Sequence, residues 1–253
     1  MGIEEILVLA ASFVAGLIDA VVGGGGLVLL PALFATFPGA APATLIGTNK
    51  TASVWGTSVA TWRYARRVNL NWRVLLIAAG VAFVGSLLGA YALTLINPDV
   101  LRKALPFILL VVLIYVLANK NMGYDHAPRF TGRHELLFAC AIGIVLGVYD
   151  GLFGPGTGSF LIFLLVRVLG YDFLHASASA KVLNVATNLA AILLLSLKGH
   201  VWWQLGLTMA AFNVAGSVVG AHLALKHGSG FVRFAFVVVV SALIAKTAWD
   251  AFA

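Results

Sequence analysis

Charge is scarce in this sequence. Only 16 Lys or Arg and 9 Asp or Glu occur in 253 residues, 10% of the chain, where a soluble domain carries about 25%. A soluble globule needs more polar surface than that to stay dispersed. The shortage excludes an ordinary soluble enzyme, and the composition also excludes a disordered chain and collagen. Cysteine is nearly absent: Cys140 stands alone, inside an apolar run. One thiol forms no internal disulfide and no thiolate metal cluster; it reads as a small buried hydrophobe. Basic residues are missing from the N-terminus. Glu4 and Glu5 stand where a signal peptide carries base, so the first apolar stretch is expected to stay in the mature chain.

What is present is apolar. Hydrophobic residues make up 61% of the chain, and the mean hydropathy is +1.02. That composition points to a polytopic helical membrane protein. Long runs are almost free of charge. Residues 6–62 hold only Asp19 and Lys50, and 136–166 hold only Asp150. Lys181 is the one charge between Asp172 and Lys198. Residues 74–98, 104–119, 199–225 and 234–245 hold none.

Glycine interrupts two of these runs, at Val22-Gly23-Gly24-Gly25-Gly26 and at Phe153-Gly154-Pro155-Gly156-Thr157-Gly158. Neither is a quiet helix interior, so each is read as a break inside the membrane. The breaks belong to an internal repeat with a fixed offset of 131 residues and no gaps. Asp19 matches Asp150, Gly23 matches Gly154, Lys50 matches Lys181, Trp72 matches Trp203, Gly85-Ser86 matches Gly216-Ser217, and Arg102 matches Arg233. Matches of scarce residue types carry weight that apolar matches do not. Duplication with interrupted helices is a pattern of secondary transporters.

Loop charge bears on orientation. Loop 63–73 carries Arg63, Arg66, Arg67 and Arg73 and is placed in the cytoplasm, as is the polar connection 120–135. Inverting the second half keeps Arg167, Lys226 and Arg233 inside and leaves only Lys198 outside. The expected fold is therefore an all-α polytopic membrane protein of two inverted repeats of about 131 residues. Each repeat has a glycine-broken helical hairpin plus three membrane helices. The expected divisions are 1–119, a cytoplasmic linker 120–135, and 136–253. Inversion requires segments 6–37 and 136–168 each to start and end on one side. Residues 136–150 and 159–168 are each too short for an upright span, so two short or tilted limbs are expected to meet near the midplane. Irregular backbone is tolerated there only if it is buried or lines a cavity.

Three constellations carry chemistry. At the breaks, Gly23, Gly24, Gly25, Gly26, Gly154, Gly156 and Gly158 leave unpaired N–H groups at helix starts, where an anion can approach closely. Thr157 and Ser159 offer hydroxyl donors. Tight helix crossing is the alternative use of such residues. Next, Gly47-Thr48-Asn49-Lys50-Thr51-Ala52-Ser53 and Ser177-Ala178-Ser179-Ala180-Lys181-Val182-Leu183-Asn184 each read as a polar cluster opening an apolar helix, with Ser or Thr as its cap. A lysine near a helix start opposes the dipole, which asks for another reason such as anion binding; the alternative is snorkelling. Asn184, Thr187 and Asn188 share one face, matched by Ser53 and Thr57 in the first repeat. Such faces look inward. Finally, Asp19 and Asp150 precede the breaks and are read either as structural partners or as proton carriers. Trp72 and Trp203 fit an interfacial belt. His200, His222 and His227 show no metal-ligand spacing. The basic loop is a topology signal and not a nucleic-acid site.

These residues resemble the TauE/SafE family of membrane transporters. In the first repeat the resemblance rests on Val22-Gly23-Gly24-Gly25-Gly26, Pro31 and Gly47-Thr48-Asn49-Lys50. In the second it rests on Tyr149-Asp150-Gly151-Leu152-Phe153-Gly154-Pro155-Gly156-Thr157-Gly158-Ser159-Phe160 and Ala178-Ser179-Ala180-Lys181-Val182-Leu183-Asn184. The resemblance implies transport of sulfite or small organosulfonates, often as export, across a bacterial inner membrane. The first repeat departs from the pattern, with Ile18-Asp19-Ala20 in place of Tyr-Asp-Gly, so the two half-sites should differ chemically.

The expected function is alternating-access transport of a small sulfur-containing anion. The glycine breaks donate N–H groups, and Lys50 and Lys181 supply charge. Thr48, Asn49, Ser53, Ser179, Asn184 and Asn188 bind or line the path, and Asp19 and Asp150 support the breaks or carry protons. A net charge of +7 fits an anion path. A passive anion channel is the nearest alternative. An intramembrane aspartyl protease would need Asp19 and Asp150 close enough to share a proton. The expected partners are the anionic substrate and the lipid bilayer, with no nucleic acid, no cofactor and no metal. A homodimer is left open.

Overall fold

The computed structural model describes residues 3–95 and 125–252, with side chains described for 5–95, 125–242 and 245. The expected third span of the first repeat, 104–119, and the first residues of the connection 120–135 lie outside the described residues. Those described form helices: α1 (Ile3–Val22), α2 (Gly26–Thr36), α3 (Pro42–Ala65), α4 (Trp72–Leu93), α5 (Gly132–Leu152), α6 (Thr157–Leu164), α7 (Phe173–Leu197) and α8 (Trp203–Phe252). A single π-helical turn, Leu165–Leu169, extends α6. Gly228, at φ 71°, breaks α8. No strand occurs among the described residues.

Local chemistry sets the helix starts. Pro42 occupies the first turn of α3, where its missing N–H costs nothing. The Asn71 side chain caps α4 by accepting from the Val74 N–H, and Asp172 caps α7 through the His175 N–H at 2.8 Å. Helices α1, α4, α5, α7 and α8 are long and apolar enough to cross a membrane. At 24 residues, α3 is long enough as well, but Thr48, Asn49, Lys50, Thr51, Ser53 and Thr57 dilute its apolar character. Its polar residues are turned inward, and 14 of its residues are buried. Large apolar side chains face outward instead, among them Leu76, Val84, Leu88, Val145 and Phe234. A polar interior within an apolar exterior is the arrangement of a multi-pass membrane protein.

The repeat survives folding in register. The starts of α2 and α6, of α3 and α7, and of α4 and α8 each lie 131 positions apart. Each repeat's first helix packs chiefly on the other's fourth: α1 on α8, and α5 on α4. Matched glycines make these contacts. A Cβ on Gly89 would stand 2.0 Å from the Val148 carbonyl oxygen, and one on Gly220 would stand 2.4 Å from that of Leu17. The backbones approach so closely that any side chain would part them. Ser12, Asn213 and Ser217 add hydrogen bonds along the α1–α8 seam.

Both hairpins fold back on themselves. Gly25 lies against Ala15 and Asp19 of α1, and Glu5 and Phe37 line one cavity with Trp202. In the second hairpin the Tyr171 hydroxyl, just beyond α6, donates to Glu135 near the start of α5 at 2.5 Å. The limbs correct one expectation. Of the short or tilted limbs expected, the first in each hairpin is not short: α1 has 20 residues and α5 has 21, each about 30 Å at 1.5 Å per residue. The first limb is a full-length helix because helical backbone continues through Asp19 and Asp150 up to the glycines. Only the return limb is short.

Candidate substrate site

The two breaks meet. The Ser159 N–H donates to the Gly23 carbonyl at 3.1 Å, and the Ser159 hydroxyl donates to the Val22 carbonyl at 2.9 Å. Ser177 reaches the Val21 carbonyl at 3.0 Å. Gly23 has φ 76°, and a Cβ there would lie 2.4 Å from the Gly158 carbonyl carbon. Only glycine fits both the dihedral and the contact. Hydroxyls of one repeat therefore satisfy carbonyls freed by the other repeat's break.

Lys50 of α3 lies against this junction, and Lys181 is its counterpart on α7. Each sits eight residues beyond the first residue of its helix. The expectation that these clusters open their helices is corrected here: the caps are Ala41 and Asp172, so both lysines lie two turns inside. Lys50 Nζ lies 2.5 Å from Asp150 Oδ2, with both side chains buried. The 131-residue offset maps this pair onto Lys181 and Asp19, and that second pair is not made. Asp19 accepts from the Thr57 hydroxyl at 3.1 Å. Lys181 is fully buried, and its Nζ has no hydrogen-bond partner among the described residues.

A small cavity of about 30 Å³ lies between the breaks, room for one or two waters. Gly23, Gly26, Gly154, Gly156, Thr157 and Gly158 line it from the hairpins. Asn49, Lys50, Ser53 and Thr57 face it from α3, and Asn184 and Asn188 from α7. Asp19 and Asp150 complete the wall, each held by a different partner.

The other expected residues fall elsewhere. Gly24 and Gly25 are buried in the turn without lining the cavity. The Thr48 hydroxyl donates to the Thr44 carbonyl and accepts from the Trp202 N–H, which ties α3 to the start of α8. The Thr157 hydroxyl is spent on the Gly154 carbonyl at 2.8 Å. Ser179 lines a separate cleft with Glu135 and His175. Lys181 stands one turn from Asn184, behind the cavity wall.

Larger cavities lie towards the ends. One of about 890 Å³ is lined by Arg63, Arg66, Arg67 and Lys226 with Trp62. Another of about 620 Å³ is lined by Glu5, Phe37, Trp202 and Trp203. Trp203 and Lys226 are separated along α8 by about 35 Å at 1.5 Å per residue.

Comparison with known proteins gives this geometry a family. The model of the sulfite exporter TauE/SafE family matches residues 8–247. The chain belongs to the TauE/SafE family. It is similar to a probable membrane transporter protein of Haemophilus influenzae, 35% identical over 252 residues, covering 99% of this chain and 97% of the relative. It is 36% identical over 241 residues to the probable membrane transporter protein ORF9 of Sinorhizobium sp., covering 95% and 90% of the two chains. It is also 36% identical to the probable membrane transporter protein YfcA of Escherichia coli K12, covering 94% and 87%. No solved structure matches the chain. As a TauE/SafE member it is a multi-pass membrane protein of a transporter family, not of an enzyme family.

Two groups in this TauE/SafE chain escaped the reading of its sequence. The buried Tyr64 hydroxyl donates to the Ala20 carbonyl at 3.0 Å, steadying α1 just before its break. His126, Asp172 and His175 converge at the entry to α7. Burial alone would raise the Asp172 carboxyl, but hydrogen bonds from His175 and Ser229 outweigh it and hold it below the usual carboxylate range. Burial and the neighbouring His175 lower His126 below an ordinary imidazole. No spacing rule links position 126 to 172; only the fold joins them.

Proposed function

We propose that the protein carries a small sulfur-containing anion, sulfite or a small organosulfonate, across the membrane by alternating access. The observation that carries the reading is Lys181: a fully buried lysine whose Nζ has no hydrogen-bond partner among the described residues, one turn from the cavity-lining Asn184. A buried charge is costly unless paired, and a transported anion supplies the missing partner. Asn184 and Asn188, one and two turns along the same helix, line the cavity and offer amide donors to its oxygens. The basic cavity around Arg63, Arg66 and Arg67 concentrates anions at one mouth.

The repeats act as inverted halves, with 1–119 and 136–253 as the two units and 120–135 as their cytoplasmic linker. In support, the base of the first hairpin shares a cavity with the start of α8. That of the second bonds Glu135 to Asn71 at the start of α4. The small volume between the breaks supports a carrier over a standing channel. Transport proceeds by exchange of ion pairs: Lys50 holds Asp150 in this state, and Lys181 pairs with Asp19 in the opposite one. Asp19 or Asp150 carries a proton if transport is proton-coupled, and export is the direction that the family's name supports.

Purified protein in detergent is titrated with sulfite, thiosulfate, sulfoacetate, taurine and acetate while the melting temperature is read. A ligand specific for the native state raises it. Stabilisation by a sulfur oxyanion or sulfonate, lost in Lys50→Ala and Lys181→Ala, supports the site. A Lys181→Ala variant that transports sulfite in proteoliposomes at the wild-type rate removes Lys181 from the mechanism. Saturable flux that responds to a proton gradient separates a carrier from a channel.

A further inference from the structure

Outside the cavity between the breaks, three segments meet at the start of α7. His126 precedes α5, Asp172 caps α7, and Ser229 follows the Gly228 break in α8. The Asp172 carboxylate is oriented by its Oδ1, which accepts the His175 N–H at 2.8 Å and the Ser229 hydroxyl at 2.9 Å. Its Oδ2 is left to two imidazoles. His175 Nδ1 lies 2.5 Å from it and His126 Nδ1 lies 3.6 Å from it. The two rings stack with centroids 3.9 Å apart.

A helix cap accounts for Asp172 and His175 but not for His126. That ring is placed by backbone: the Ala127 N–H donates to the Gly170 carbonyl at 3.0 Å and the Arg129 N–H to the Leu169 carbonyl at 2.9 Å. Two imidazoles are thus brought from distant parts of the chain to the same carboxylate oxygen, with ligand atoms of all three residues within 4.8 Å of one another.

We propose that His126, Asp172 and His175 form a binding site for a divalent cation of the zinc type. Two imidazole nitrogens and one carboxylate oxygen are the donor set that zinc and its neighbours prefer. Donors around a tetrahedral zinc stand roughly 3.2–3.6 Å apart. The His126 spacing already matches, and His175 must swing outward by roughly 0.7–1.1 Å to reach that range. Binding displaces any proton shared between His175 and Asp172 into solvent. The Ser229 and His175 N–H bonds to Oδ1 orient the carboxylate behind the metal. A cleft of about 230 Å³, lined by His126, His175 and Tyr171, leaves the fourth position to water. The bound ion ties the entry of the second repeat to α7, and through Ser229 to the outer part of α8.

The test uses untagged full-length protein in detergent, stripped with chelator. Zinc chloride is titrated by calorimetry, and cobalt(II) serves as a spectroscopic probe through its d–d bands. Wild type is expected to bind one equivalent with proton release and to develop visible bands with cobalt. His126→Ala, which removes no hydrogen bond of the helix cap, is expected to weaken binding by at least about tenfold, and His175→Ala likewise. Asp172→Asn keeps the cap and loses the charge, and should weaken binding as well. Equal binding by wild type and the His126→Ala/His175→Ala double variant overturns the proposal, as does a wild type that binds neither metal. The readout is metal and not flux, so its failure leaves the transport reading untouched.

Discussion

Removing one member of the Lys50–Asp150 pair should cost far more than removing both. The two charges lie 2.5 Å apart with side chains 3% exposed. At an effective dielectric of 20 their attraction is on the order of 7 kcal/mol, and most of it offsets the cost of taking both ions out of water. Lys50→Met therefore strands a buried carboxylate and should destabilise the protein by about 3–5 kcal/mol. Asp150→Asn strands the ammonium at similar cost. The double variant strands nothing, and its loss should be within roughly 1–2 kcal/mol of wild type. A double-mutant cycle by equilibrium unfolding in mixed detergent micelles reads the coupling, which should exceed about 2 kcal/mol. Additive losses, or a Lys50→Met variant within about 0.5 kcal/mol of wild type, would refute the reasoning, because a buried unpaired charge cannot be that cheap. Transport separates the two roles of the pair: on the function proposed above, the double variant should fold and still fail in transport.

Other perturbations have equally definite outcomes. Gly23→Ala faces both a positive φ and a carbonyl carbon at 2.4 Å, so transport in proteoliposomes should fall to background even where the protein is still recovered folded. Gly89→Leu must part α4 from α5 and should lower stability by about 1–3 kcal/mol. In the same helix, Gly80→Ala meets nothing within 4 Å and should be neutral or stabilising by about 0.4–1 kcal/mol, measured by the same unfolding assay. Tyr64→Phe removes the hydrogen bond to the Ala20 carbonyl and should cost about 1 kcal/mol, with a lower melting temperature and unchanged substrate affinity.

The membrane class, the helical architecture and the register of the repeat were legible because they rest on residue types that are scarce here. Of the four charged residues matched at one offset, Asp19, Asp150 and Lys50 line the small cavity, while Lys181 is buried outside its lining. Helix boundaries around the lysines were not legible. Ser and Thr near Lys50 and Lys181 look like caps, but Pro42 and Asp172, farther upstream, start the helices. The length of α5 was misjudged because Arg133, His134 and Glu135 read as loop, whereas Glu135 is buried and bonded to Asn71 and Tyr171. The broken symmetry of the two ion pairs left no sign in the spacing. It depends on which carboxylate each lysine reaches, and Asp19 accepts from the Thr57 hydroxyl where Asp150 meets a lysine.

The packing of each repeat's first helix on the other's fourth bears on how the chain is made. When synthesis has passed α4, that helix has not yet met α5, and α1 has not met α8; these are the most extensive helix contacts among the described residues. The glycine faces at Gly85 and Gly89 then lack the α5 backbone they pack on, and the Gly23 carbonyl waits for a Ser159 not yet translated. The first half is thus a nascent intermediate with an open groove, completed only when the ribosome delivers the second. Ribosomal pauses between the halves would prolong that exposure, and a chain released there would offer quality-control proteases an unfinished interface.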